Sequence, residues 1–201
     1  MGTLSKWRDV WKRFSGRGTY PHQLAFLLLI PLRGLRLSPR TLVARLHLSE
    51  TSHVLELGPG PGYFSVEVAR STPRGQLCLV DLQLEMVRKA RRRIACARLE
   101  NVRFVQAGGS ALPFGAGVFD VAFLVAVLGE VPDPGSCLDA IGHCLCPGGL
   151  LSITELTGDP DAMSQAEVSA LASARQFRHV ETLPVRSGGF TINFRKPDLA
   201  V

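Results

Sequence analysis

The sequence predicts an α/β domain in which a mostly parallel sheet carries helices on both faces and ends in an antiparallel hairpin. Three observations lead there. Short apolar runs alternate with helix-length segments between His53 and Glu155. The first run, in VLELGPGPGYF (Val54–Phe64), empties into a glycine-rich loop with a helical segment directly behind it. The alternation then breaks, and the last two strand-like runs are joined through Ser187-Gly188-Gly189.

The elements follow in order. Ser38-Pro39 is a good N-cap and first-turn pair for a helix that carries Leu42, Val43 and Leu46 inward. The first strand is His53–Leu57, with its helix running from about Gly62 to Arg70. The second strand, Leu77–Asp81, ends in a carboxylate. A helix follows from Leu84 to about Ala97, with Met86, Ile94 and Leu99 on its inner side. The third strand is Val102–Gln106 and the fourth Phe119–Val125. A helix near Ser136–Leu145 should stop at Pro147-Gly148-Gly149 and hand over to a fifth strand, Leu150–Glu155. A helix over Ser164–Arg175 precedes the final strands, Val180–Pro184 and Phe190–Arg195.

The 201 residues suffice for one α/β core, and 46% apolar with 20% charged is ordinary globular composition. The charge is uneven. Residues 1–50 hold nine Lys/Arg against Asp9 and Glu50, a net of +7, whereas the remainder is at −1. We therefore divide the chain into a basic, amphipathic cap (1–50) and a ligand-binding domain (51–201). In the cap, Leu4, Trp7, Trp11 and Phe14 recur at helical steps. That stripe suits a helix packed on the domain, a helix on an anionic membrane surface, or a transit peptide. Residues 1–32 are the candidate peripheral membrane contact. The apolar run from Leu24 to Leu32 is too short to cross a bilayer.

Strand, glycine loop, helix, strand and terminal acid form the pattern of an adenosine-cofactor site, with Asp81 placed to take ribose hydroxyls. A dinucleotide site wants glycines spaced G-x-G-x-x-G, with backbone N–H groups free for a pyrophosphate. Here the spacing is E-x-G-x-G-x-G, and Pro59 and Pro61 each remove an N–H. A ligand with a sulfonium and an amino-acid tail suits this loop better, and a nicotinamide-dependent oxidoreductase suits it worse.

The chain resembles class I S-adenosylmethionine-dependent methyltransferases, most closely the small ubiquinone/menaquinone-biosynthesis-like group. VLELGPGPG (Val54–Gly62), LVDLQLEMV (Leu79–Val87), ALPFGAGVFDVAF (Ala111–Phe123) and LCPGGLLSITE (Leu145–Glu155) carry the resemblance, in that family's order. It implies a Rossmann-like sheet with an antiparallel last strand, and S-adenosyl-L-methionine as cofactor. Gly58 and Gly60 would bring backbone against the methionine part of the cofactor, with Pro59 and Gly62 completing the loop. Glu56 would orient that loop or accept from the cofactor's ammonium, while Asp81 grips the ribose and Leu82 and Met86 flank the adenine. Gly108, Gly109, Ser110 and Leu124 complete the expected cofactor set. Asp81 also has a plain structural alternative, as a helix N-cap.

One position departs from the family. An acid usually follows the third strand in a G-D-A-x-x-L-P-F pattern and meets the adenine amino group. Alignment on Leu112-Pro113-Phe114 puts Gly108 there instead. The loss is worth about 1.5–3 kcal/mol of cofactor binding unless a backbone carbonyl or the Ser110 hydroxyl substitutes. It also leaves open a cofactor-binding scaffold without turnover.

Methyl transfer depends chiefly on alignment. Candidates for a general base are Tyr20 and His22 in the lead segment and Glu130 in VLGEVPDP. The expected acceptor is a small molecule, with a lipophilic preference suggested by the aromatic lead segment. Arg88, Lys89, Arg91, Arg92, Arg93 and Arg98 read as a solvated helix face rather than a nucleic-acid site, because no aromatic stacking platform accompanies them. Five cysteines without a C-x-x-C pair suggest reduced thiols, no metal and a cytoplasmic location, with a mitochondrial or membrane-peripheral one as the alternative.

Overall fold

A computed structural model describes residues 37–186 and 188–198. Ser38 caps the first helix, α1 (Pro39–Arg45), by accepting from the Thr41 N–H at 3.0 Å, and Pro39 supplies a first-turn residue that needs no N–H. The chain then runs through β1 (His53–Leu57), α2 (Ser65–Ser71), β2 (Gln76–Asp81), α3 (Leu84–Cys96), β3 (Val102–Gln106) and β4 (Phe119–Val125). After a 3₁₀ turn at Leu128–Glu130 come α4 (Pro134–Cys144), β5 (Leu145–Leu156), α5 (Gln165–Ser173), β6 (Arg178–Pro184) and β7 (Gly189–Arg195).

The strands form one seven-stranded sheet in the order β3-β2-β1-β4-β5-β7-β6. β1 to β5 pair in parallel, while β7 runs antiparallel to both of its neighbours. Alternating side chains feed two cores. Leu55, Val80, Leu124 and Ile153 face one side, where Leu138 and Ile141 of α4 and Val168 of α5 cover them. Val54, Leu79, Phe123 and Leu150 face the other, with Leu42 of α1, Val68 of α2 and Ile94 of α3. Because Leu42 and Leu46 belong to this second core, α1 is built into the same body as the sheet. Cys78, Cys137 and Cys144 are buried, Cys146 is half-buried and Cys96 is exposed.

Several element boundaries differ from the sequence reading by one to a few residues, and three of the differences have a clear local cause. α2 begins at Ser65 rather than near Gly62, because Gly60 (φ 53°) and Gly62 (φ 77°) hold the chain in turns. α4 starts at Pro134, two residues early, with Asp133 accepting from the Ser136 N–H at 3.0 Å. β5 begins directly at Leu145, so Pro147-Gly148-Gly149 lies within the strand rather than before it. A register shift against β4 and the positive φ of Gly148 (70°) absorb the irregularity.

A polar clasp joins α1 to the last strands. Arg45 donates to Thr191 Oγ1 and to the Pro184 carbonyl, each at 2.7 Å, while Asn193 Nδ2 donates to the Arg45 carbonyl at 2.8 Å. Asn193 Nδ2 also donates to Glu181 Oε1, which the His47 ring meets at 2.8 Å.

Candidate functional site

The strand order reverses between β1 and β4, and at such a point the loops beyond the C-terminal strand ends leave a crevice. A cavity of about 730 Å³ opens there, within the range of about 300–1,000 Å³ typical of small-ligand sites. Its walls come from the loop after β1, the ends of β2 and β3, and the segments after β4 and β5.

The three loop glycines have separate tasks. Gly58 (φ 67°) donates its N–H to the Val80 carbonyl at 2.8 Å, and a Cβ there would stand 2.5 Å from Val127 Cγ2. Gly60 donates to Asp81 Oδ2 at 3.2 Å. Gly62 donates to the Pro59 carbonyl at 3.0 Å and lies against Ala90 of α3, where a Cβ would meet backbone at 3.3 Å. Gly58, Pro59 and Gly60 line the cavity, whereas Gly62 does not and serves loop-to-helix packing.

Two buried carboxyls stand under the loop. Glu56, one residue from the end of β1, accepts from Ser65 Oγ–H at 2.6 Å. Burial pushes its carboxyl up to about 8; the Ser65 bond opposes that shift, and the Asp81 charge adds to it. Asp81 accepts from the Gln83 N–H at 2.8 Å on one oxygen and from Gly60 on the other. Burial raises it to about 6 against those two bonds. Asp81 thus ties the β1 loop to the start of α3, and each oxygen keeps one lone pair for a ligand hydroxyl.

Leu82, which is 56% exposed, and buried Met86 form an apolar side of the cavity near Asp81. Gly108, Gly109 and Ser110 line the cavity from the segment after β3. Gly109 is pressed against Cys137 Sγ and Leu57, whereas no atom lies within 4 Å of a Cβ built on Gly108. Ser110 Oγ–H donates to the Asp133 carbonyl at 3.5 Å. Leu124 does not reach the cavity, because its place on β4 turns it into the core beside Leu55 and Ile153.

Glu130 lines the opposite end, at the close of the 3₁₀ turn. Leu156, Gly158, Asp159 and Pro160 face it from the segment after β5. That segment is seated on Gly129, whose missing side chain admits the Asp161 backbone carbonyl and the Met163 side chain. Tyr20 and His22 lie outside the described residues.

Sequence reasoning missed Glu155. It is buried at the end of β5, Oε1 has no hydrogen-bond partner, and the carboxyl accepts from the Met163 backbone. Burial raises it to about 8, with the Asp159 and Glu130 charges pushing the same way. A signal was present: like Glu56, Glu155 is an acid one residue from the end of a strand and is flanked by buried residues. Carboxylates (Glu56, Asp81, Glu130, Asp133 and Asp159) are the only charged side chains lining the cavity among the described residues. No group of three His, Cys, Asp or Glu among the described residues could hold a metal ion. Nor is any described helix long and apolar enough to cross a membrane.

Residues 48–183 match the family described as methyltransferase domain. The chain is 31% identical over 127 residues to a malonyl-[acyl-carrier protein] O-methyltransferase of Legionella pneumophila, covering 63% of this chain and 43% of that protein. It is 33% identical over 106 residues to a ubiquinone/menaquinone biosynthesis C-methyltransferase of Pasteurella multocida, covering 52% and 40%. The chain thus spans less than half the length of these two curated relatives. An S-adenosylmethionine-dependent methyltransferase structure from Aquifex aeolicus superposes with a TM-score of 0.84 at 19% identity, covering 89% of this chain and all of that one.

Proposed function

The chain belongs to the methyltransferase-domain family of class I, S-adenosylmethionine-dependent proteins, and on that premise we propose that it moves a methyl group from S-adenosylmethionine to a small, lipophilic acceptor. The observation that carries the reading is the crevice at the β1/β4 reversal, with Asp81 at the end of β2 and the Gly58–Gly60 loop beside it. S-adenosylmethionine, when bound, supplies a methyl already activated on a sulfonium, so the protein's work is positioning.

Asp81 would accept the ribose hydroxyls through its two remaining lone pairs, already oriented by Gly60 and Gln83. Leu82 and Met86 would flank the adenine, whose amino edge would face the open space at Gly108. Gly58 and Gly60 admit the methionine part to within backbone distance, and Glu56 stands below as an acceptor for its ammonium. The acceptor would enter from the Glu130–Asp159 end, where Val127, Val131, Leu156 and Pro160 provide apolar wall. Residues 1–32, with their basic and aromatic composition, would serve acceptor or membrane contact. We place the protein in a reducing, cytosol-like compartment on its cysteine usage.

Calorimetry with S-adenosylmethionine, S-adenosylhomocysteine and NAD tests the reading. Binding of the first two without NAD supports it; NAD binding alone sinks it. A second reading rests on Gly108: a cofactor-binding scaffold without turnover. Formation of S-adenosylhomocysteine in the presence of an acceptor from a panel of lipophilic small molecules excludes the scaffold.

A further inference from the structure

Charge on the described body is segregated. Residues 84–103, which carry α3 and the start of the edge strand β3, hold seven Lys/Arg against Glu85 and Glu100, a net of +5. All other described residues hold nine Lys/Arg against fourteen Asp/Glu, a net of −5. One end of the sheet is therefore strongly positive on an otherwise acidic body. Its cations are not neutralised where they stand. Among the described residues, Arg88 has an exposed ion pair with Glu85 at 3.6 Å, whereas Arg91, Arg92, Arg93 and Arg98 have none.

The arginines share a face with an apolar foot. Leu84, Arg88, Arg91, Arg92 and Ala95 are all exposed, and their helical spacing sets them in one stripe along α3. Met86, Val87, Ala90 and Ile94 are buried on the other side. Leu84 is 42% exposed in the first turn, and the exposed Leu82 precedes it at the cavity. Leu37 belongs to the same core layer as Ile94, so residues 1–36, with seven Lys/Arg against Asp9, join the domain on this side of the sheet. Charge and foot together select the partner. A bilayer with anionic headgroups offers acid to the arginines and hydrocarbon to the leucine. A single-stranded nucleic acid offers phosphate but calls for open rings to stack on, and Phe104 of β3 is covered by the Arg91 guanidinium, 5.0 Å from the ring centroid.

We propose that α3 is a docking surface for an anionic membrane, with Arg88, Arg91 and Arg92 on the headgroups and Leu84 in the interface. This surface is distinct from residues 1–32 and does not depend on which ligand fills the cavity.

The test is co-sedimentation of the full chain with vesicles of phosphatidylcholine alone and of phosphatidylcholine and phosphatidylserine in equal parts. The expected result is binding to the anionic vesicles only, lost as salt rises and screening shortens the reach of the charges. Each arginine near such a surface contributes about fivefold, so Arg88→Gln, Arg91→Gln and Arg92→Gln together should weaken binding about a hundredfold. An unchanged Tm reports that this variant folds. Leu84→Glu, an acid that a first helical turn accepts, should weaken binding about tenfold or more and serves if the triple variant does not fold. Anionic-vesicle binding that survives both variants belongs to residues 1–36 and overturns the α3 surface. Equal binding to neutral vesicles, or no binding to anionic ones, overturns it as well. Capture of a mixed-sequence RNA through the same arginines, without vesicle binding, overturns the lipid partner.

Discussion

Replacing Gly58 with alanine tests whether the β1 loop is shaped by close approach to the segment after β4. Two costs add. At φ 67° a Cβ crowds the following carbonyl, for about 1–2 kcal/mol. The new Cβ would also stand 2.5 and 2.9 Å from the two γ-carbons of Val127, far inside the usual carbon–carbon contact of about 3.5–4.0 Å. Relieving that overlap by shifting side chain or backbone costs about 1–3 kcal/mol more. Gly58→Ala should therefore lose about 2–5 kcal/mol, or about 4–20 °C in Tm for a chain of this size. Val127→Ala in the same chain removes both offending carbons but leaves the backbone strain. The double variant should therefore be less damaged than the sum of the singles, with a coupling of about 1–3 kcal/mol. Thermal and denaturant unfolding of the four proteins measures this cycle. Strict additivity, or a Gly58→Ala protein as stable as the parent, would refute the close-approach argument.

Other outcomes follow from the same site. Glu56 in the folded chain titrates near 8 against an ordinary 4.5, so between those values the folded state keeps a proton that the unfolded state has released. Stability from this group therefore falls as pH rises from about 4.5 to about 8, and Glu155 acts in the same direction. Glu56→Gln should thus gain on the parent progressively between pH 5 and pH 9 in denaturant midpoints; a pH-independent difference would contradict the shift. Asp81→Ala should weaken S-adenosylhomocysteine about a hundredfold or more by calorimetry, since two charge-assisted bonds go together. Unaltered affinity would remove Asp81 from the ribose site. Gly108→Asp has open space and no positive φ to oppose it, so it should tighten the same ligand about tenfold or more. No gain would mean that the adenine edge lies elsewhere. Deletion of residues 1–20 should lower acceptor turnover and leave S-adenosylhomocysteine affinity intact; unchanged turnover would detach the lead segment from acceptor handling.

The parallel half of the sheet was legible because period and punctuation agree there. His53–Leu57, Val102–Gln106 and Phe119–Val125 are bounded by the same residues in sequence and structure. Pro147-Gly148-Gly149 misled for a physical reason. Proline and glycine mark a loop and an irregular strand edge equally well, and only pairing decides between them. Here Gly148 and Gly149 exchange backbone bonds with Lys196, which lies 47 or more positions away. Glu155 was hidden by a comparable non-local cause. Its burial depends on the post-β5 segment folding back onto Gly129, and no local pattern encodes that fold-back. Gly62 belonged to the recognisable loop but is occupied with Ala90, and Leu124 points into the core, so motif membership overstated the cavity by those two residues.

The clasp between Arg45 and Thr191 spans 146 positions, and this sets the order in which the molecule can be finished. During synthesis, β5 emerges with one flank bare, and β6 follows with nothing to join. Only when β7 arrives can it slide between them, and only then does α1 receive its last polar partners. Until that moment a bare strand flank is available to neighbouring chains, the usual opening for aggregation. A lesion in the last dozen described residues would therefore act first on yield and solubility. It would do so without touching a single residue of the cavity.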